Sequence, residues 1–382
     1  MLNLLEIVLG VYGLEKMHKY FKWEKRFLLL MPEYVMGGAE TQFRYLIEYA
    51  EKHKWKLDVI VEHRFQRKDA LLKKESARMR NVRFYELSGY GVNRERVLRH
   101  IVKQILENSL QVKYTACLIY NPVYLALTPI MKMMGMYVVY SERIEATDIA
   151  GDDKLRRYLT FCNRVVANSE HGQNVLMQLT GKKIDLVRNG KPVVSRLPMK
   201  ENREIQRILV PARITVHKNQ MLLLYYLKEH SEFVGNLVFA GVVEDKIYEK
   251  KLRDFVNRNH LQNRVDFLGY VEDMREQYEQ ADLVILPSRM EGTPNVVLEA
   301  FAYGRPVIVS DIETEKYVVQ NPDLRFALKG TDSIHQCIQY IRNLSPDEYK
   351  NMLENNRKFV VENYNIDIMA ENFFEIMSRK RL

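Results

Sequence analysis

From residue 26 onward, apolar runs too short for helices alternate with segments of helical period, and they do so in two series. In the first, RFLLLM (26–31), LDVIVE (57–62), VRFYEL (82–87), TACLIY (115–120), MYVVYSE (136–142) and RVVANS (164–169) read as strands. Helices are expected between them, at 37–53, 69–80 and 93–108, the last with Val97, Ile101 and Ile105 on one face. Strands of this kind, each followed by a helix, require a parallel sheet covered on both faces. The pattern pauses at VRNGKPVVSRLPMKENREI (187–205), where Asn189-Gly190, Pro192 and Pro198 punctuate a polar stretch that reads as an interdomain linker. A second series follows: RILVPA (207–212), a helix from Lys218, NLVFAG (236–241), a helix over 245–260, RVDFLG (264–269) and a short helix to Gln280, with two helices near 346–361 and 366–378 closing the chain. The expected division is 1–190, with 1–25 as an extension, then 191–362, then a last helix in 363–382. At 382 residues, two domains are the natural accommodation.

The densest segment is ADLVILPSRMEGTPNVVLEAFAYGRPVIVS (281–310), a strand, a polar loop, a helix and a strand in one crossover. Thr293 or Asn295 can cap the helix, Val297, Leu298, Phe301 and Ala302 follow its period, and Gly304 ends it. Such a helix starts at the carboxyl end of a strand, with its amides and positive dipole end turned to where open α/β sheets bind ligands. Glu291 and Glu299 bracket its start. Carboxylates there can accept hydrogen bonds from sugar hydroxyls or grip a vicinal diol, while the amides of 293–296 face a phosphate or sugar oxygen. Two solvated surface glutamates are the alternative. Gly37-Gly38, after the first strand, permits close backbone approach to a ligand without the lysine of a P-loop or the spacing of a dinucleotide fingerprint. Arg213 and Lys218 in VPARITVHKNQ can hold a diphosphate; as isolated cations they read as surface.

The string EGTPNVVLEAFAYGRPVI (291–308) resembles the E-x7-E signature of retaining glycosyltransferases of family 4, and the likeness runs from about Phe27 to the C-terminus. That resemblance implies the GT-B fold: two Rossmann-like β/α/β domains facing a central cleft, with the last helix crossing back onto the first. It implies that Glu299 binds the nucleotide ribose, that Glu291 lies against the donor sugar, and that Arg213 and Lys218 are the Arg-x4-Lys donor-phosphate motif. Arg213, Lys218 and Glu291 are then the catalytic candidates. Gly37 and Gly38 match the family's GGAE loop; Gly292, Thr293, Pro294 and Asn295 complete the donor loop. Gly241 with Glu244, and Gly269 within Phe267-Leu268-Gly269-Tyr270, stand where the base is held through backbone groups. Asn189-Gly190 matches a turn before the linker, or is a plain turn. Where many members carry a histidine this chain has Ser141-Glu142-Arg143, so Glu142 and Arg143, with Asn121, are sugar-side or acceptor candidates, or else Glu142 and Arg143 form a structural ion pair. His171 and His217 read as capping or surface histidines. The implied partners are a nucleotide-sugar donor and a saccharide or lipid-linked acceptor of surface-polysaccharide synthesis, with retention of configuration.

Charge and composition bound the rest. The net charge of +9 is concentrated in residues 1–190, with 31 Lys+Arg against 21 Asp+Glu. Such a field draws polyanions, among them anionic lipid headgroups, or merely keeps the surface solvated. No groove-reading or base-stacking module for nucleic acid is evident. Cys117, Cys162 and Cys337 are too far apart for a metal knuckle or disulfide framework, which favours a reducing, cytoplasmic setting, with the inner membrane face as a peripheral site. The N-terminal run is too short to span a bilayer and lacks a signal peptide's order. It reads as an amphipathic segment with Lys16, Lys19, Lys22, Lys25 and Arg26 toward headgroups and Tyr20, Phe21 and Trp23 at the interface, as a docked helix, or as residues ahead of the true start. No Asp-x-Asp occurs and Asp152-Asp153 has no partner motif, so no cofactor or metal is expected. A nucleotide-sugar epimerase of the same architecture, a silent nucleotide-sugar binder and a polyanion binder are the rival readings.

Overall fold

A computed structural model describes the chain apart from residues 1–3, 21, 33–37, 64–69, 89–92, 144–146, 192–202, 292–293 and 379–382. Gly37, Gly292, Thr293, Phe21, Pro192 and Pro198 therefore lie outside the described residues. The chain divides into two compact units, Met1–Gly190 with Ile366–Leu382, and Lys191–Asn365.

The first unit is built on seven parallel strands: β1 Glu24–Met31, β2 Leu57–His63, β3 Val82–Ser88, β4 Val112–Ile119, β5 Tyr137–Glu142, β6 Arg164–Ala167 and β7 Asp185–Leu186, in the order β3-β2-β1-β4-β5-β6-β7. Strand alternation sends Leu28 and Leu30 into one core with Val97, Ile101, Ile105 and Tyr140, and Phe27, Leu29 and Met31 into another on the opposite face. The second core is closed by Phe43 and Ile47 from helix Gly38–Lys52 and by Met369, Phe373, Phe374 and Met377 from helix Ile366–Ser378. Helix 69–80 of the sequence reading shortens to Ala70–Ser76, and the two-residue β7 was too brief to leave a pattern.

The second unit has six strands: β8 Arg207–Pro211, β9 Asn236–Ala240, β10 Val265–Gly269, β11 Leu283–Leu286, β12 Val307–Ser310 and β13 Arg325–Phe326, in the order β10-β9-β8-β11-β12-β13, all parallel. One contiguous core, including Leu209, Val238, Val284, Leu298, Ile308 and Ile338, joins the sheet to its helices. Helix Pro346–Asn363 opens on a capping box between Ser345 and Glu348, with Pro346 in the first turn where its missing N–H is harmless.

Helix Leu4–Tyr20 is docked on the first unit: Val11 and Leu14 are buried, and His18 Nε2 stands 3.0 Å from the Ser109 carbonyl oxygen. The headgroup-facing reading fails for Arg26, which is buried and donates to Asp58 Oδ1 and, at 2.7 Å, to the Asn81 carbonyl. Strand alternation turns Arg26 inward, and Asp58 is its counter-charge. No described helix is long and apolar enough to cross a membrane.

Gly190 closes the first long segment of the first unit. Its N–H donates to Gln42 Oε1 at 2.6 Å, and a Cβ there would stand 2.7 Å from the Ile366 Cα. Because backbone cannot yield as a flexible side chain does, Gly190→Ala is expected to destabilise the protein by about 1–3 kcal/mol. A lowered urea midpoint with unchanged slope is the expected result; an unchanged midpoint contradicts it.

Candidate active site

In the second sheet the strand order reverses between β8 and β11: β8 continues to β9 on one side and β11 to β12 on the other. Loops leaving the two carboxyl ends diverge there and open the place where α/β sheets take ligands. The loop after β8 carries Arg213 and Lys218, and the loop after β11 carries Glu291. They are sewn together. Arg289 N donates to the His217 carbonyl at 2.9 Å, Arg289 Nη2 to Asn219 Oδ1 at 3.3 Å, and Lys218 Nζ to Glu291 Oε1, whose side chains are 18% and 11% exposed.

The loop after β9 is tied in from the other side. Ile214 N donates to the Val242 carbonyl at 2.9 Å and Asp245 N to the Ile214 carbonyl at 3.1 Å. Gly241 lets these backbones meet, since a Cβ there would be 2.2 Å from the Ala212 oxygen. Its N–H reaches the carbonyl of Gly269, which takes φ +66° at the end of β10. Arg213 Nη1 pairs with Glu244 at 2.9 Å, both largely exposed, so that an arriving anion can replace the carboxylate at little cost.

The start of helix Asn295–Ala302 differs from the sequence reading. Pro294 takes the capping position without a side-chain bond, so Asn295 is the first helical residue and not the cap. Proline has no N–H, so the expected run of amides over 293–296 is interrupted at its second position. Glu299 is also held more closely than a free gripping carboxylate would be. Lys191 Nζ donates to its Oε1 at 2.7 Å and the buried Tyr278 hydroxyl to its Oε2 at 3.0 Å. Each oxygen keeps a lone pair for a further donor. Burial, and then Glu299 itself, push the Tyr278 phenol up, which keeps it a donor.

Glu315, in helix Glu313–Lys316 after β12, was missed because DIETEK reads as an exposed acidic turn. It is fully buried, and neither carboxyl oxygen has a hydrogen-bond partner. Burial raises its pKa well above the usual 4.5, Glu291 adds to the rise, and Lys218 opposes it. Lys191 and Tyr278 were missed for another reason: each meets Glu299 only through the tertiary fold.

In the first unit the order reverses between β1 and β4. Gly38 begins the helix after β1, and Asn121 follows β4, where its Oδ1 accepts the Val123 N–H at 3.0 Å as a cap. Glu142 ends β5, Arg143 follows it, and both are buried. Glu142 accepts the Tyr140 hydroxyl and the Arg143 N–H, both at 2.9 Å. Arg143 donates to Asn189 Oδ1 at 2.9 Å and lies 5.1 Å from the ring centres of both Phe43 and Phe373, with Nε and Nη2 unpartnered. Burial lowers its pKa to about 10, with Glu142 opposing. His217 is exposed and His171 half-buried.

Residues 197–364 match the family model described as glycosyl transferases group 1. This segment belongs to the group 1 glycosyltransferases. It holds Arg213, Lys218, Gly241, Glu244, Gly269, Glu291, Glu299 and Glu315. The chain is 26% identical over 170 residues to the amylovoran biosynthesis glycosyltransferase AmsD of Erwinia amylovora, covering 42% of this chain and 48% of that protein. It is 28% identical over 142 residues to an Escherichia coli UDP-Gal:alpha-D-GlcNAc-diphosphoundecaprenol alpha-1,3-galactosyltransferase, covering 37% and 36%. The chain thus spans about half or less of the length of these curated relatives. In architecture it resembles HepE of Anabaena, solved with UDP and glucose, at a TM-score of 0.72 with 16% identity, over 93% of this chain and 100% of that one. That likeness shows the fold, which is GT-B.

Glu315 generates a test. In the unfolded chain its carboxyl ionises near 4.5, whereas the folded protein holds the proton to higher pH. The folded state therefore binds more protons above that value, and stability falls as pH rises from about 4.5 toward the raised folded pKa. Glu315→Gln has no proton to lose. It should melt with the wild type near pH ~5 and increasingly above it toward pH ~8; a difference independent of pH contradicts the assignment.

Proposed function

We propose that the chain is a retaining glycosyltransferase that moves a sugar from a nucleotide-sugar donor to a hydroxyl of a saccharide or lipid-linked acceptor in surface-polysaccharide synthesis. The Lys218–Glu291 pair at the β8/β11 reversal, inside the family segment and with Lys218 on the loop that also bears Arg213, carries this reading. The donor's diphosphate displaces Glu244 from Arg213 and engages Lys218. Glu291, against the sugar, keeps the Lys218 ammonium aimed. Glu299, steadied by Lys191 and Tyr278, takes the ribose hydroxyls, and the Gly241 and Gly269 backbones flank the base. UDP in the HepE structure and UDP-Gal in the name of the E. coli relative favour a uridine donor for first trial.

As the bond between the anomeric carbon and the phosphate oxygen breaks, its electron pair passes to the diphosphate, whose growing charge Arg213 and Lys218 neutralise. The acceptor hydroxyl attacks the same face and yields its proton to the departing phosphate oxygen, which gives retention. Two cations and a helix start carry the charge that a divalent ion carries elsewhere, so the transfer needs no metal. On the acceptor side, Arg143 offers two unpartnered nitrogens, Nε and Nη2, and Glu142 lies beside it. The basic first half suits an anionic inner membrane face, and three buried free cysteines suit a cytoplasmic setting.

Lys218→Ala is expected to lower turnover on the order of 10²-fold or more while the protein stays folded, as for loss of one transition-state charge stabiliser. Sugar transfer to an added acceptor is the measurement. Near-normal turnover in a folded variant refutes the assignment, and an isomerised sugar from donor alone points to an epimerase.

A further inference from the structure

His230, Glu232 and His335 bring three ligating atoms within 4.8 Å of one another, in the one such group among the described residues. His230 follows helix Gln220–Glu229, and His335 lies in helix Asp332–Asn343. A ten-residue helix, roughly 15 Å at 1.5 Å per residue, separates His230 from Asn219 and the Lys218 turn. The cluster is thus apart from the proposed donor site and does not depend on it.

Glu232 Oε1 stands 3.1 Å from His230 Nδ1 and 3.7 Å from His335 Nδ1, and the two imidazoles are stacked with centres 4.7 Å apart and planes 9° from parallel. Ligands around a tetrahedral ion with bonds of about 2.0–2.2 Å are spaced roughly 3–4 Å apart. The hydrogen bonds behind the rings set the tautomer of one of them. Thr331 Oγ1 gives its hydrogen to Glu229 Oε2 at 2.6 Å, so at 3.2 Å His230 Nε2 must be the donor to Thr331. His230 Nδ1 is left with a lone pair turned toward a carboxylate oxygen, a repulsive contact unless a cation lies between. A proton can bridge one such pair. A metal ion satisfies both rings and the carboxylate together once the His335 ring turns out of the stack, because each lone pair lies in the plane of its own ring.

The Gln339 amide, 3.2 Å from His335 Nε2, supports the second ring, and the Tyr226 hydroxyl at 3.4 Å from His335 Nδ1 is at the long, weak end of hydrogen bonding. Asp332 Oδ1 lies 3.6 Å from His230 Nε2, so Asp332, Glu229 and Glu232 flank the rings, while Arg264 and Arg342 act on the neighbouring Tyr226. Glu232 is 60% exposed and gives an ion both entry and a solvent position.

We propose that His230 Nδ1, His335 Nδ1 and Glu232 Oε1 bind one divalent transition-metal ion, Zn²⁺ by ligand class, and fasten the end of helix Gln220–Glu229 to the start of helix Asp332–Asn343. Two imidazoles and one carboxylate suit zinc and its neighbours rather than magnesium or calcium. The hydroxyl of Thr331, passing from His230 to Glu229, is the outer support that fixes a ligating ring. The reaction proposed above does not use this ion.

The test is calorimetric titration of the chelator-stripped full chain with Zn²⁺, with Co²⁺ absorption as a readout of coordination. One equivalent should bind and raise the melting temperature, and Mg²⁺ should do neither. The double variant Glu232→Gln/His335→Gln should fold and lose the binding. Thr331→Val keeps all three ligands but frees the tautomer, and should weaken affinity about 10–100-fold. Absence of saturable Zn²⁺ uptake, an equal response to Mg²⁺, or unchanged uptake by the double variant overturns the proposal.

Discussion

A parallel sheet that reverses its strand order leaves two diverging carboxyl-end loops with nothing between them, and in the second unit the Lys218–Glu291 pair holds that place together. A largely buried ion pair stabilises little by itself, because desolvation offsets most of its attraction. Its value is positional: with Arg289 bound to His217 and Asn219, it fixes an ammonium and a carboxylate side by side on otherwise irregular backbone. Burial raises the pKa of Glu315 near them, which disfavours a further negative charge beside Lys218. In the proposed reaction the diphosphate would meet a field already arranged, and preorganised charge of this kind stabilises a developing anion.

Buried polar groups order the first unit as well. Asp58 lies inside the sheet and takes the Arg26 guanidinium at one oxygen and the Tyr114 hydroxyl at the other, the latter at 2.6 Å, with Asn108 donating to that hydroxyl at 3.0 Å. Each charge is compensated, so the network costs little to bury and ties β1, β2 and β4 in one register. Arg143 is different. Bonded to Asn189 and 5.1 Å from the ring centres of both Phe43 and Phe373, it is buried with Nε and Nη2 unpartnered.

Most of the fold was legible because both sheets repeat one pattern whose strands are long and apolar enough to stand out: Leu28 to Met31, Val59 to Val61 and Leu283 to Leu286 are buried as their spelling implies. The two-residue β7 and β13 carry no such pattern. Charged residues misled where their partners lie far off in sequence. Arg26 reads as one more cation of a basic stretch until Asp58 stands beside it. Glu299 reads as a free carboxylate until Lys191 and Tyr278 arrive from two other segments. Asn295 reads as a helix cap until Pro294 takes the place. Local chemistry shows which residue types are present; pairing across the sheet decides which of them are free to act.

The most direct measurement is the melting temperature of the full chain with a panel of nucleoside diphosphates and their sugars, beside the matching nucleosides at equal concentration. A ligand that binds the folded state at about 100 times its dissociation constant stabilises it by about 2.7 kcal/mol. At least one diphosphate and its sugar should raise the midpoint while the bare nucleoside does not, and Arg213→Ala should shrink the rise. A panel in which no diphosphate acts, or in which nucleoside and diphosphate act alike, contradicts a site built to hold the diphosphate.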